Sequence, residues 1–507
     1  MTTANEKIAS LIYQIRKDRG LTQAEFAKQL KTSQSAVNRI EHGGQNLSID
    51  MLARISDVLN KPLISISDKA VNLRIHGGKE LKGEIELKRS KNAAVALLCA
   101  SILNRGVTKF KSFPRIEEVF RIIEVLQSIG VEVKWNKNND IEIRRPAKLQ
   151  LENIDAKAAR KTRSVLMFLG PLLHESKDFK IPYAGGCKLG LRTVSPHLFA
   201  LQDFGMDIEA KIGFYKVKAR KKKPEEVVLY ESGNTVTNNI LMAAARTEGV
   251  TKIIGASADY MVQDLCLFLM KLGVKIEGFG SNVLIVHGVG GNIKKNATYA
   301  PTEDPIEAMF FVSAAIVTNS KLTIKRVPID WLKLEFLKLE KMGLKYKVNK
   351  EYLADNGTIS LIDVTIEKHN HKLLAPAEKI HPNLWPGINP DNIPYFALIA
   401  TVAHGRTLIH DWMFENRAIY FTELTRIGAN VELVDPHRVY VSGPTNFTAA
   451  DLVTPPALRP ASLLLIGMMA ANGVSTLRNV YTINRGYEDL SARLNSIGAN
   501  IEVIHEI

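Results

Sequence analysis

Residues 123–135 read IEVLQSIGVEVKW, and the hydrophobic period changes at Gly130. Before the glycine, apolar residues recur at helical spacing. After it, Val131 and Val133 alternate with Glu132 and Lys134, as on a half-buried strand. A glycine at such a junction takes the left-handed conformation that stops a helix and releases the chain. The same pattern returns in LFALQDFGMDIEA (198–210), LFLMKLGVKIEGF (267–279), FLKLEKMGLKYKV (336–348), FTELTRIGANVEL (421–433) and SARLNSIGANIEV (491–503). The six glycines, Gly130, Gly205, Gly273, Gly343, Gly428 and Gly498, lie roughly seventy residues apart. That is a repeat architecture.

Working upstream, each copy begins with a strand-like opener: GVTKFKSFP, KDFKIPYAG, GVTKIIGAS, SKLTIKRVP, GRTLIHDWM and GVSTLRNVY. Before most openers comes a helix apolar nearly all round, such as NAAVALLCASIL or SLLLIGMMAANG, which predicts burial. The unit is helix, strand, loop, helix, strand. Six copies predict an α/β chain of two lobes with three repeats each. The boundaries expected are about 92–302 for the first lobe, and 71–91 plus 303–507 for the second. Function belongs in the loops between opener and second helix, where the copies differ. The second copy is longest there, and its excess is GGCKLGLRTVSPH (185–197).

Residues 1–68 stand apart as a small all-α domain. Ile8, Leu11, Ile12 and Ile15 predict a helix ending at Gly20. Thr22 and Glu25 form a capping box, with Phe26, Ala27 and Leu30 inward. SQSAVNRIEHG follows, with Val37 and Ile40 inward. Ser48 caps a further helix carrying Leu52, Ile55 and Leu59. The order LTQAEFA, SQSAVNRIE, HGGQNLSIDML resembles the Cro/C1 helix-turn-helix family. The resemblance implies that Gln34, Ser35 and Asn38 face base edges in a major groove, with Gln23 and Arg39 at phosphates, and hence duplex DNA as a partner.

The bulk properties agree with both parts. The chain has 507 residues, too many for one core, and a formal net charge of +15, which favours anionic partners. No apolar run is long enough to span a membrane, the first thirty residues carry no secretory signal, and three cysteines make no disulfide framework. The expected compartment is the cytoplasm.

The polar positions divide. Cys99 and Cys266 lie on apolar helices and read as core residues. Cys187 lies between glycines, near Lys188 and Arg192, where positive charge favours a reactive thiolate. Arg163, Arg192, Arg417, Arg459 and Arg485 recur at loop or helix starts, joined by Lys91. Together they suit an anion pocket between lobes, since guanidinium forks match phosphate and carboxylate.

The stretches LKGEIELKRSKNAA, RSVLMFLGPLL, GGCKLGLRTVSPH, SGNTVTNNILMAAA, MFENRAIYFTELTRIGA, LRPASLLLIGMMAANG and INRGYEDLSARLNSIGANIE resemble, in order, the enolpyruvyl transferase family that acts on UDP-N-acetylglucosamine. The resemblance spans residues 71–507 and implies two inverse α/β barrels. It implies phosphoenolpyruvate and UDP-N-acetylglucosamine as substrates, in the step that opens peptidoglycan precursor synthesis, with no cofactor and no metal. Cys187 matches the loop cysteine that acts as general acid and forms a thioether with phosphoenolpyruvate. Lys91, Arg192 and Arg485 match the residues gripping phosphoenolpyruvate. Asn92, Arg163, the run Arg192, Thr193, Val194, Ser195 and Pro196, and Ser232 match nucleotide-sugar contacts. Met413, Arg417 and Arg459 match further substrate contacts.

Counting back from Arg417 in FENRAIY assigns the family's catalytic base to Asp391, in GINPDNIPYF, rather than to YAPTEDPIEAMFF. Four departures stand beside these matches, the first being RTVSPH (192–197) where the family usually has Arg-Pro-Val-Asp-Leu-His. Pro390 directly precedes Asp391. Ala457 replaces the aspartate of the family's Asp-Leu-Arg triplet. Pro305 stands where an arginine commonly helps hold the nucleotide sugar. They imply an altered acceptor pocket around retained chemistry.

Overall fold

The computed structural model describes residues 8–10, 12–13, 16–17, 21–44, 47, 49–58, 71–185, 193–220, 222–369 and 372–505. The chain divides into two compact units, Met1–Val71 with His505–Ile507, and Asn72–Ile504.

In the small unit, helices Gln23–Leu30, Gln34–Glu41 and Ile49–Val58 close on Ile12, Phe26, Leu30, Val37, Ile40 and Ile55. The Thr22 capping box forms: Glu25 N donates to Thr22 Oγ1 at 3.2 Å, and Thr22 N donates to Glu25 Oε2 at 2.8 Å. Ser33 caps the next helix through Ala36 N at 3.2 Å. Beneath both lies a buried bidentate pair, in which Arg16 Nη2 donates to Glu41 Oε2 at 2.9 Å and Nε donates to Oε1. A buried ion pair is retained at low cost only with such geometry. Leu11, Ile15, Gly20, Ser48 and Leu59, expected above to build or cap helices, lie outside the described residues.

The large unit carries six sheets. Three draw only on residues 107–299 and belong to the first lobe. Three draw on 71–86 and 321–505 and belong to the second. All six openers are strands: Val107–Phe110, Asp178–Pro182, Gly249–Ile254, Lys321–Pro328, Gly405–His410 and Val474–Arg478. All six junction glycines are left-handed, with φ from 83° to 103°. A side chain there would meet its own backbone, so the alternation of helix and strand depends on them.

Each lobe holds three buried helical segments behind its sheets. The first has Lys91–Ala100, Asn234–Arg246 and the pair Ser164–Phe168 and Leu169–Leu172. The second has Pro305–Val317, Ile393–Ala400 and Leu458–Ala470. In the last of these, eleven residues from Arg459 to Met469 are buried. No described helix is long and apolar enough to cross a membrane.

Two features differ from the expected unit. Each copy has a third strand, which returns antiparallel between the other two, as Ile141–Arg144 does between Val107–Phe110 and Glu132–Trp135. Its sequences, such as IEIR and FYKVKA, are short and partly charged, so the period alone does not mark them. In the sixth copy that central strand comes from the far end of the region. Val71–His76 lies between Val474–Arg478 and Ile501–His505, with Leu73 opposite Leu477 and Ile75 opposite Ser475. The second difference is Ala418–Ile427, a 3₁₀ helix rather than an α-helix.

Candidate active site

Lys91 is the first residue of its helix, whose N-cap is Ser90; the Ser90 side chain accepts from Ala93 N. The start of a helix aims Lys91 out of the bundle, and its Nζ donates to Glu118 Oε2 at 2.9 Å. Arg485, closing the short helix Tyr481–Asn484 of the second lobe, brings Nη2 to 3.8 Å from Glu118 Oε1. Thr162 and Ser164 hydroxyls donate to the same oxygen at 3.2 and 3.1 Å. Glu118 is 8% exposed. Burial works against its charge, yet Lys91 and Arg485 hold its pKa down to about 2. Two cations, one beside each lobe's core, therefore converge on one buried anion.

A second cluster surrounds Asp391. Its carboxylate receives Arg417 Nη1 at 3.4 Å and Arg459 Nη2 at 3.5 Å, and its backbone N donates to Asn389 Oδ1 at 2.9 Å. Arg417, only 1% exposed, is fixed by Asp411, through Nη2 to Oδ1 at 2.8 Å. Arg459 is also buried and donates Nη1 to Tyr487 Oη at 2.8 Å. Ala457 brings no carboxylate to it, consistent with the departure noted in the sequence. Across the cleft, Asp259 accepts from Asn234 Nδ2 at 3.0 Å and from Asn389 Nδ2 at 3.5 Å. Burial pushes Asp259 up to about 6, and the Asp391 charge adds to the shift.

The carboxylates of YAPTEDPIEAMFF are committed to the fold. Asp304 caps the Pro305–Val317 helix through Ile306 N at 2.8 Å, and Pro305 sits in its first turn, where no amide is missed. Glu303 is fully buried between Arg89 and Arg326.

Among the residues expected to contact a nucleotide sugar, Asn92 Nδ2 donates to Tyr260 Oη at 3.2 Å, and Arg163 Nη2 donates to the Thr193 carbonyl at 2.9 Å. Val194 and Ser195 are half-buried and Thr193 is exposed, whereas Pro196 is buried in the first turn of helix Ser195–Asp203. His197 beside it is neutral: burial, helped by Arg163, takes its pKa down to about 4. Asn239 Nδ2 donates to His197 Nδ1 at 2.9 Å, which leaves the proton on Nε2, facing Thr235. Ser232 and Met413 are half-buried. Cys187 and Arg192 lie outside the described residues. Cys99 and Cys266 are buried in helices, and burial pushes the Cys266 thiol up to about 12, as inert core thiols.

On the small unit, Gln34, Ser35, Asn38 and Arg39 form the exposed face of their helix. Gln23 is only half-exposed, and its Nε2 donates to Glu41 Oε2 at 2.8 Å, so that end of the side chain serves the fold.

Sequence spacing missed Glu118, Asp259, Glu335 and Asp411. Glu118, Asp259 and Glu335 have side-chain partners tens or hundreds of residues away, while Asp411 lies only six residues before its partner Arg417, and none sits in a recognisable run.

Residues 75–494 match the family model described as EPSP synthase (3-phosphoshikimate 1-carboxyvinyltransferase), and residues 12–66 match a helix-turn-helix model. A UDP-N-acetylglucosamine 1-carboxyvinyltransferase of Treponema denticola is 35% identical over 431 residues, 85% of this chain and 98% of that protein. Its counterpart in Treponema pallidum is 33% identical, over 84% and 98%. The enolpyruvyl transferase NikO of Streptomyces tendae shares the fold at 22% identity with a TM-score of 0.74, covering 87% of this chain and all of that one.

Proposed function

The chain belongs to the EPSP synthase family of enolpyruvyl transferases, and from that premise we propose that it transfers the enolpyruvyl group of phosphoenolpyruvate to the 3-hydroxyl of UDP-N-acetylglucosamine. The observation that carries this reading is the convergence of Lys91 and Arg485 on Glu118. Two cations preorganised where the lobes meet suit the carboxylate and phosphate of phosphoenolpyruvate, and later the departing phosphate. Glu118 keeps them in place before the substrate arrives.

In this reading the sugar 3-oxygen adds to C2 of phosphoenolpyruvate while its proton passes to Asp391. The Cys187 thiol delivers a proton to C3. The tetrahedral adduct then loses phosphate, and C3 gives up a proton to restore the double bond. Arg417 and Arg459 hold the Asp391 carboxylate in place, the positioning a general base requires. Asn92, Arg163 and the 192–196 run hold the nucleotide sugar, with Ser232 and Met413 beside them. The exposed face of Gln34, Ser35, Asn38 and Arg39 supports a duplex-DNA-binding role for the small unit, and the setting is the cytoplasm.

Phosphate release on mixing protein, phosphoenolpyruvate and UDP-N-acetylglucosamine tests the reading. Release that needs both substrates, with a sugar product heavier by one enolpyruvyl group, is expected. Binding of both without release would replace the enzyme by a sensor that regulates transcription through the small unit.

A further inference from the structure

We propose that Glu335 is the positioning residue for Asp391, fastening both sides of the turn that carries it. This rests on the reading of Asp391 as the base. Glu335 lies on helix Lys333–Lys341 of the second lobe and is 1% exposed. Its Oε1 accepts from Asn389 N at 3.1 Å and from Asn392 Nδ2 at 2.9 Å, one donor from each side of Pro390 and Asp391. Asn389 passes the constraint on, because its Oδ1 accepts from Asp391 N at 2.9 Å. From the opposite side Arg417 reaches both the Pro390 carbonyl and the Asp391 carboxylate. The backbone of the turn is thus held by Glu335 and its carboxylate by guanidinium groups.

Among the described residues, no cation pairs with Glu335. On its own segment Lys333 is paired with Asp330 at 2.9 Å. From the first lobe Asp259, at the start of helix Tyr260–Lys271, faces it with like charge. From the turn comes Asp391, with Arg417 behind it. A carboxylate buried so poorly compensated costs the fold, so what it supplies is strong acceptance from two amides. Glu335, Trp331, Trp385, Gln263 and Phe279 are among the residues lining a cavity of about 400 Å³. Burial pushes Glu335 up to about 7 against the Asn392 and Asn389 hydrogen bonds. Protonation weakens both bonds, so turnover falls as pH drops below neutral.

The test compares Glu335→Gln, Glu335→Leu and Asp391→Asn across pH 5.5–8.5. Glutamine keeps an acceptor oxygen but does not titrate. The expected result is kcat within about threefold of wild type at pH 8 in Glu335→Gln, with the acid-side fall near pH 7 removed. Glu335→Leu should lose kcat by about 10- to 100-fold at every pH, the scale of an ångström-sized misplacement. Its KM for phosphoenolpyruvate should stay within about twofold, since Lys91 and Arg485 answer to Glu118. A Glu335→Gln variant that keeps the wild-type acid limb overturns the proposal, and so does full turnover in Glu335→Leu. An active Asp391→Asn overturns the base assignment itself; an inactive Asp391→Asn beside an indifferent Glu335 overturns only the positioning. If Glu335→Leu fails to fold, the glutamine profile still decides.

Discussion

Replacing Glu118 by glutamine removes the carboxylate on which Lys91 and Arg485 converge. Its pKa of about 2, against an ordinary value of 4.5, corresponds to roughly 3 kcal/mol at about 1.4 kcal/mol for each tenfold step. A group whose pKa is lowered by folding stabilises fully above its unfolded value and loses that stabilisation as pH falls towards the folded one. Wild type therefore holds the whole contribution at pH 7 and has lost about 2 kcal/mol of it by pH 3. Glutamine has no such contribution at either pH. The stability gap between wild type and Glu118→Gln should shrink by about 2 kcal/mol between pH 7 and pH 3. Urea unfolding, followed by hydrogen exchange across helix Glu117–Ser128, reads this lobe apart from the rest. A gap that stays constant with pH would show that Glu118 acts by packing and not by charge, and the account of a preorganised anion grip would fail with it.

Cys187→Ser should reduce turnover at neutral pH at least about 100-fold, the usual worth of a general acid, because serine is a far weaker acid; undiminished phosphate release would exclude the acid role. The epoxide fosfomycin should alkylate Cys187, read by peptide mass, and label on the buried Cys99 or Cys266 alone would contradict the loop assignment. In the isolated small unit, Arg39→Ala should weaken binding to all duplexes alike, while Asn38→Ala should mainly relax sequence preference. Titration over a range of salt checks this, and no affinity even at low salt would leave the unit as a protein-interaction module. A chain beginning at Val71 should fold and turn over, whereas one beginning at Gly78 should not, because it lacks Leu73 and Ile75; equal activity of the two would remove Val71–His76 from the working fold.

The repeat was legible because its glycines mark positions that a side chain does not tolerate, and the helix before each one has a strong apolar period. The capping box at Thr22 was legible for the same reason: its partners are three residues apart. The third strand of each copy was not, since segments such as FYKVKA carry as much charge as pattern. The cations of the site stood out as arginines at helix starts. The buried acids did not, because Glu118 meets Lys91 and Arg485, and Asp259 and Glu335 meet their amide donors, only through the packing of distant elements. Asp391 was assigned by register from Arg417, and Arg417 does lie against Asp391, but nothing in the sequence tied either to Glu335.

The borrowing of Val71–His76 by the last sheet sets a timetable for synthesis. Every strand of the first lobe leaves the ribosome within one continuous stretch, so that lobe can close while translation continues. The second lobe cannot. Its opening strand emerges with Leu73 and Ile75 uncovered, and both of its neighbours, Val474–Arg478 and Ile501–His505, are made only about 400 residues later. Until then it is an unpaired apolar strand, the kind of surface that nascent chains shield with holding chaperones or lose to aggregation. A premature stop anywhere before Val474 would therefore yield a finished first lobe joined to a second that has no means of closing.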